Sequence, residues 1–227
     1  MDARVCSAIL VGGRHLPNKA CGSRHYAMAI LPTFFKQSQH MDTRVTDQDL
    51  LIINEAQYGV VIDLVYASSN NIAGRIVYQT ARCALHKDAA PLLLRASQLA
   101  RSAGYTLKVF DCYRPPAAQH IFWSALPDAQ YVADPSQGSH HSRGTAVDVT
   151  LLDERGIELD MGTGFDAMED ASHHDYADLP AAVQKNRLLL LGIMLHAGFR
   201  GIKSEWWHYE LPNSSAYPII DSPLVTV

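Results

Sequence analysis

Ser139-His140-His141-Ser142-Arg143-Gly144-Thr145-Ala146-Val147-Asp148, taken with Glu205-Trp206-Trp207-His208, decides how this chain is read. The two segments carry imidazoles at 141 and 208, a carboxylate at 148 and a spare carboxylate at 205. A catalytic zinc site with one open position and a general base needs that set. Gly144, between His141 and Asp148, gives the backbone freedom to double back so that both side chains face one ion. His208 completes three protein ligands and leaves a fourth position for water. The mixed nitrogen and oxygen donors suit zinc, one ion per chain.

Glu205 stands three residues before His208, and on a regular strand the two side chains would point to opposite faces. The expectation is that Glu205 lies in the loop leading into that strand, beside the metal and not bound to it. There it takes a proton from the metal-bound water during attack and passes it to the leaving amine. Arg114, just beyond a strand end, offers a fixed planar cation for the oxyanion. A structural metal site would leave Glu205 and Arg114 without a use, so the residues favour a hydrolase.

Outward from this centre, 227 residues suffice for one well-cored domain. Hydrophobic content of 48% against 19% charged residues is ordinary for a globular protein. A net charge of −4 gives no general reason to expect nucleic acid or an anionic membrane as partner.

The charge is uneven. Residues 1–40 hold Arg4, Arg14, Lys19, Arg24 and Lys36 against Asp2, a balance of +4 that leaves −8 for residues 41–227. The apolar runs in this segment are too short for a convincing export signal, and no span approaches a membrane helix. Met41 opens a stretch that reads as an ordinary protein start. Residues 1–40 are therefore expected to lie outside the fold, residues 41–227 to form the domain, and the location to be cytoplasmic. A degenerate export signal and a periplasmic location are the rival.

Cys83 and Cys112 stand without Cys-x-x-Cys spacing, which indicates neither a disulfide framework nor a thiolate metal knuckle. Val60 to Tyr66 reads as a strand. Asp88 is expected to cap a helix with Pro91 in its first turn and Gly104 beyond its end. Tyr105 to Phe110 is the next strand, and Pro115-Pro116 opens a helix through about Leu126. Val147 to Leu152, the turn Asp153-Glu154-Arg155-Gly156 and Ile157 to Leu159 read as a hairpin. Leu179 to Ala197 is the third long helix, and Trp206 to Leu211 a terminal strand. Without a regular β-α-β rhythm, this order favours an α+β fold, a single domain with a mostly antiparallel sheet flanked by helices.

Asp-x-Tyr-Arg-Pro at 111–115, Ser-x-His-Ser-Arg-Gly-x-Ala-x-Asp at 139–148, Met-Gly-x-x-Phe-Asp at 161–166 and Glu-Trp-Trp-His at 205–208 together resemble the VanX-type D-alanyl-D-alanine dipeptidases. The likeness runs over about residues 57–220, with the motifs in the family's order. It implies the fold shared by D-Ala-D-Ala peptidases and the Hedgehog signalling domain, and zinc-dependent cleavage of free D-Ala-D-Ala into two D-alanines. By position it makes His141, Asp148 and His208 zinc ligands, Glu205 the base and Arg114 the transition-state stabiliser. Asp166 matches an acid near the substrate ammonium, and Ser139 a hydroxyl near its carboxylate. Trp206 and Trp207 alternate on their strand, and Trp206 is expected to wall the substrate pocket while its neighbour fills the core. A D,D-carboxypeptidase acting on peptidoglycan stems and a non-catalytic zinc module are the alternatives. The former needs a more open groove and export; the latter has no use for Glu205 and Arg114.

Overall fold

Every residue from Ala146 to Leu152 is buried, as befits a strand with protein on both faces. In the computed structural model, which describes residues 49–227, this strand is the centre of the molecule's main sheet. The expectations for residues 1–40 lie outside the described residues. In chain order the elements are β1 (Leu50–Ile52), α1 (Glu55–Tyr58), β2 (Val61–Ile62), β3 (Ala84–His86), α2 (Ala90–Ser102), β4 (Thr106–Asp111), α3 (Pro116–Ala125), β5 (Ala146–Leu152), α4 (Ala181–Ala197), β6 (Arg200–Ile202) and β7 (Glu205–Glu210). The main sheet runs β2-β4-β5-β7-β6 and is antiparallel except at β2–β4, while β1 and β3 form a separate antiparallel pair. The α+β class and the mostly antiparallel sheet are as expected.

Alternation assigns the sheet's faces. Leu107 and Val109 of β4 and Val147, Val149 and Leu151 of β5 join one apolar core with Leu93, Ala96 and Ala100 of α2 and Leu190, Ile193 and Met194 of α4. The intervening position Asp148 turns to the other face, opposite its cross-strand partner His208. A second cluster is built on Tyr66, Tyr78, Tyr113 and Phe122, and Phe165 packs against both.

Four expectations need correction. The strand over 60–66 shrinks to Val61–Ile62, followed by a 3₁₀ turn at Val65–Ala67, because the Tyr66 carbonyl accepts from the backbone of Val77 and Tyr78 while its ring enters the second cluster. Asp88 does not cap α2: Ala89 holds the cap position without a side-chain bond, and the Asp88 carboxylate accepts from the Tyr217 hydroxyl at 2.9 Å. The return arm of the hairpin is one bridge, Leu152 with Glu158, and not a strand. Finally α4 begins at Ala181, since Pro180 occupies its cap. Gly198, at φ 115°, ends it in a left-handed cap.

Cys83 and Cys112, unrelated by spacing, meet in the core as free thiols with their sulfurs 3.0 Å apart. No helix among the described residues is long and apolar enough to cross a membrane.

Candidate active site

Two irregularities in the sheet build the site. Between Val109 and Asp111 the register of β4 against β5 slips by one residue, so Asp111 pairs with Asp148. Strict alternation would have left Asp111 on the helix-facing side with Leu107 and Val109; the extra residue turns it toward Asp148. Between Gly201 and Ile202 the pairing of β6 with β7 slips as well, so that Ile202 lies opposite Glu205. Glu205 is thus the first residue of β7 and not part of the loop before it. The irregular pairing there replaces the simple alternation that would separate Glu205 from His208.

Gly144 closes the 3₁₀ turn His141–Arg143 at φ 66°, a left-handed conformation. A Cβ there would fall 2.7 Å from Leu50 Cδ2 and 3.0 Å from the His86 nitrogen, so glycine is required on both counts. The turn delivers His141 beside β5 and β7.

His141, Asp148 and His208 are all buried and converge. His141 Nε2 lies 3.1 Å from His208 Nδ1 and 3.2 Å from Asp148 Oδ2, and His208 Nδ1 lies 3.1 Å from Asp148 Oδ1. Donors roughly 2.1 Å from a tetrahedral zinc stand about 3.4 Å from one another, so the triangle fits such an ion with little movement. Two imidazoles and a carboxylate are also the donor types that zinc takes. His141 Nδ1 donates to the Cys112 carbonyl at 2.8 Å, which leaves Nε2 as the bare nitrogen.

Burial opposes ionisation of Asp148, but His141 and His208 outweigh it and hold the carboxylate well below the usual range. Burial likewise opposes the charged form of His208; Asp148 and Glu210 reverse that and raise its pKa to about 10. Glu205 is pushed up to about 7 by burial, only partly relieved by His208. Its Oε2 stands 3.9 Å from His208 Nδ1, close to the triad but outside it.

The triad opens on a cavity of about 330 Å³ whose lining includes Arg114, Ser139, Asp166, Glu205 and Trp207. Asp111, itself wholly buried, accepts from Arg114 Nε at 3.0 Å and from Tyr78 at 2.9 Å, which fixes the guanidinium. Asp166 occupies a left-handed conformation at φ 59° and accepts from the Tyr66 hydroxyl at 3.0 Å. Burial, with repulsion from Asp148 and Glu205, drives its pKa to about 8 despite Arg114. Ser139 lines the cavity and also caps locally, its hydroxyl accepting from the His141 nitrogen at 3.2 Å.

Trp206 does not take the expected place. Its indole donates to Thr163 Oγ1 at 2.9 Å, and Trp207 is the one that lines the cavity. Several contributors escaped the sequence reading: Tyr66 beside Asp166, Asp111 with Tyr78 and Gln119 around Arg114, and Glu210 beside His208. For Glu210 a signal existed, since His-x-Glu on a strand places both side chains on one face.

Comparison with known proteins bears on this geometry. The family described as D-Ala-D-Ala dipeptidase, peptidase M15, matches residues 46–224. The chain belongs to that family. It is similar to the D-alanyl-D-alanine dipeptidase of Escherichia coli (strain K12), at 52% identity over 159 residues, 70% of this chain and 82% of the relative. It is also similar to those of Enterococcus faecium, at 34% over 187 residues (73% and 92%), and Streptomyces coelicolor, at 36% over 187 residues (72% and 91%). As a D-Ala-D-Ala dipeptidase family member the chain is a peptidase, and the His141–Asp148–His208 cluster is its candidate metal centre.

Proposed function

We propose that this protein hydrolyses the free dipeptide D-Ala-D-Ala to two D-alanines, with one zinc held by His141, Asp148 and His208. The observation that carries the reading is the convergence of this triad, Glu205 and Arg114 on one small cavity in a chain of this family. When bound, zinc supplies Lewis acidity toward the scissile carbonyl and makes water more acidic.

The remaining steps fall to the chain's own groups. The Glu205 carboxylate takes a proton from the attacking water and returns it to the departing amine nitrogen, and a pKa near 7 suits both halves of that exchange. Arg114 presents its guanidinium to the oxygen that gains charge; Asp111 and Gln119 hold it in place, so little reorganisation is needed during reaction. A free dipeptide is distinguished from a polymer by its ammonium. Asp166 is the acid assigned to that group, and Ser139 the hydroxyl assigned to the carboxylate. The substrate ammonium lowers the cost of ionising Asp166, so the buried acid gains a partner on binding.

Full-length protein assayed for D-alanine release from D-Ala-D-Ala, and from an N-acylated tripeptide ending in D-Ala-D-Ala, tests this directly. Chelator-sensitive release from the dipeptide alone is the expected result. Release from the tripeptide would move the substrate to peptidoglycan stems, and release that survives complete metal removal would end the zinc reading.

A further inference from the structure

His208 reaches the triad through Nδ1, whereas His141 reaches it through Nε2. Something must set each ring. For His141 it is a neutral acceptor, the Cys112 carbonyl. For His208 it is a carboxylate: Glu210 Oε2 lies 3.1 Å from His208 Nε2. Period-two alternation on β7 puts the two residues on one face, and the pairs Ala146–Glu210 and Asp148–His208 hold that face against β5.

Glu210 is 1% exposed, and a buried carboxylate is costly unless it is compensated. Compensation comes from Arg200, whose Nε donates to Oε1 at 2.8 Å and whose Nη2 also contacts it, and from His140, whose Nδ1 contacts Oε2. With Arg200 and His140 fixing it, the carboxylate cannot easily turn away from His208. An ionised carboxylate only accepts hydrogen bonds, so His208 must present Nε2–H to it, and in the neutral ring Nδ1 is then the bare nitrogen. A charged acceptor also makes the imidazole a stronger donor to a metal than a carbonyl would.

We infer that Glu210 is the positioning residue that fixes His208 as a metal ligand, locking its ring so that Nδ1 faces the ion. The inference rests on the metal reading above. The competing role is a structural stitch, because Arg200 and Glu210 are also cross-strand partners of β6 and β7. A stitch would affect melting temperature and leave metal affinity alone.

The experiment is a zinc titration against a chromogenic chelator for the parent protein, Glu210→Gln and Glu210→Ala, with folding checked by circular dichroism and the visible spectrum of the cobalt-substituted forms recorded alongside. Glu210→Gln keeps the size and an acceptor oxygen but loses the charge. Zinc dissociation constants are expected to rise about 10-fold for Glu210→Gln and toward about 100-fold for Glu210→Ala, with altered cobalt bands. A folded Glu210→Gln protein that binds zinc within about twofold of the parent would overturn the assignment to Glu210 and leave the metal reading intact. A parent that binds no zinc would overturn both. If Glu210→Ala does not fold, Glu210→Gln decides alone.

Discussion

Arg114 and Arg187 are both buried guanidiniums, and their surroundings differ in kind. Arg187, on α4, places Nε, Nη1 and Nη2 on the main-chain carbonyls of Met161, His173 and Ala171 at 2.7, 2.8 and 2.8 Å. No carboxylate appears among those bonds, and burial draws its pKa down. Arg114 is held by the Asp111 carboxylate and Gln119, lies over the rings of Tyr66 and Phe122, and lines the cavity. Burial opposes its charge too, but Tyr66 and Asp111 outweigh that, so it is fixed as a cation. The first arginine fastens the 161–173 segment, with Asp166 in it, to a helix. The second keeps a charge on the wall of the cavity. Both are buried arginines; the identity of the acceptors separates the one tied to main chain from the one that faces the cavity.

The contrast can be broken from either side. On the chemical side, Glu205→Gln should lower kcat by about 10³-fold with zinc still bound, measured by D-alanine release and metal content. Unchanged turnover would remove Glu205 as the base. Arg114→Lys retains charge but loses the planar fork, and kcat/KM should fall about 10²-fold with little change in melting temperature.

On the scaffold side, Arg187→Met strips three carbonyls of their donor and should cost about 3–5 kcal/mol, a drop of roughly 10 °C by differential scanning fluorimetry. The folded variant should keep kcat within about threefold of the parent. A large loss of kcat at full folding would mean that the two arginines are not so different.

Asp166 links the two regions, and pH reveals how. With its pKa near 8, the folded protein keeps a proton that the unfolded chain releases near pH 4. Stability therefore falls as pH rises through the window from about 4 to about 8, and Asp166→Asn should abolish that fall. The melting-temperature difference, variant minus parent in metal-free protein, should be larger at pH 9 than at pH 5, while KM for the dipeptide rises. An offset independent of pH would show that Asp166 is ionised throughout. The smallest effect is expected at Tyr209, whose buried hydroxyl has no hydrogen-bond partner among the described residues. Tyr209→Phe should leave the melting temperature within about 1 °C or raise it.

The donor types and their spacing made His141, Asp148, His208, Glu205 and Arg114 legible, because few other roles use that combination in one chain. The long elements β4, α3 and β5 were legible too, since each combines a sustained apolar pattern with a proline or a turn at its edge. Periodicity arguments assume regular strands, and the site is made where strands are irregular. The slip at Phe110 that turns Asp111, and the slip near Ile202 that accompanies Glu205, leave no mark in alternation. The same blindness put the wrong tryptophan at the cavity wall. The meeting of Cys83 and Cys112 depends on β3 lying beside the end of β4, which no local pattern encodes.

Asp148 and His208 sit opposite each other in register although 60 positions separate them along the chain. Closing a loop of that length is an entropic barrier in folding, crossed only when β7 docks on β5. Before that event only His141 and Asp148 of the candidate triad would be near each other in the chain. Under the proposed metal reading, the third ligand would arrive only as the sheet is completed, and the rate at which a chelator extracts the metal would report the opening of β7.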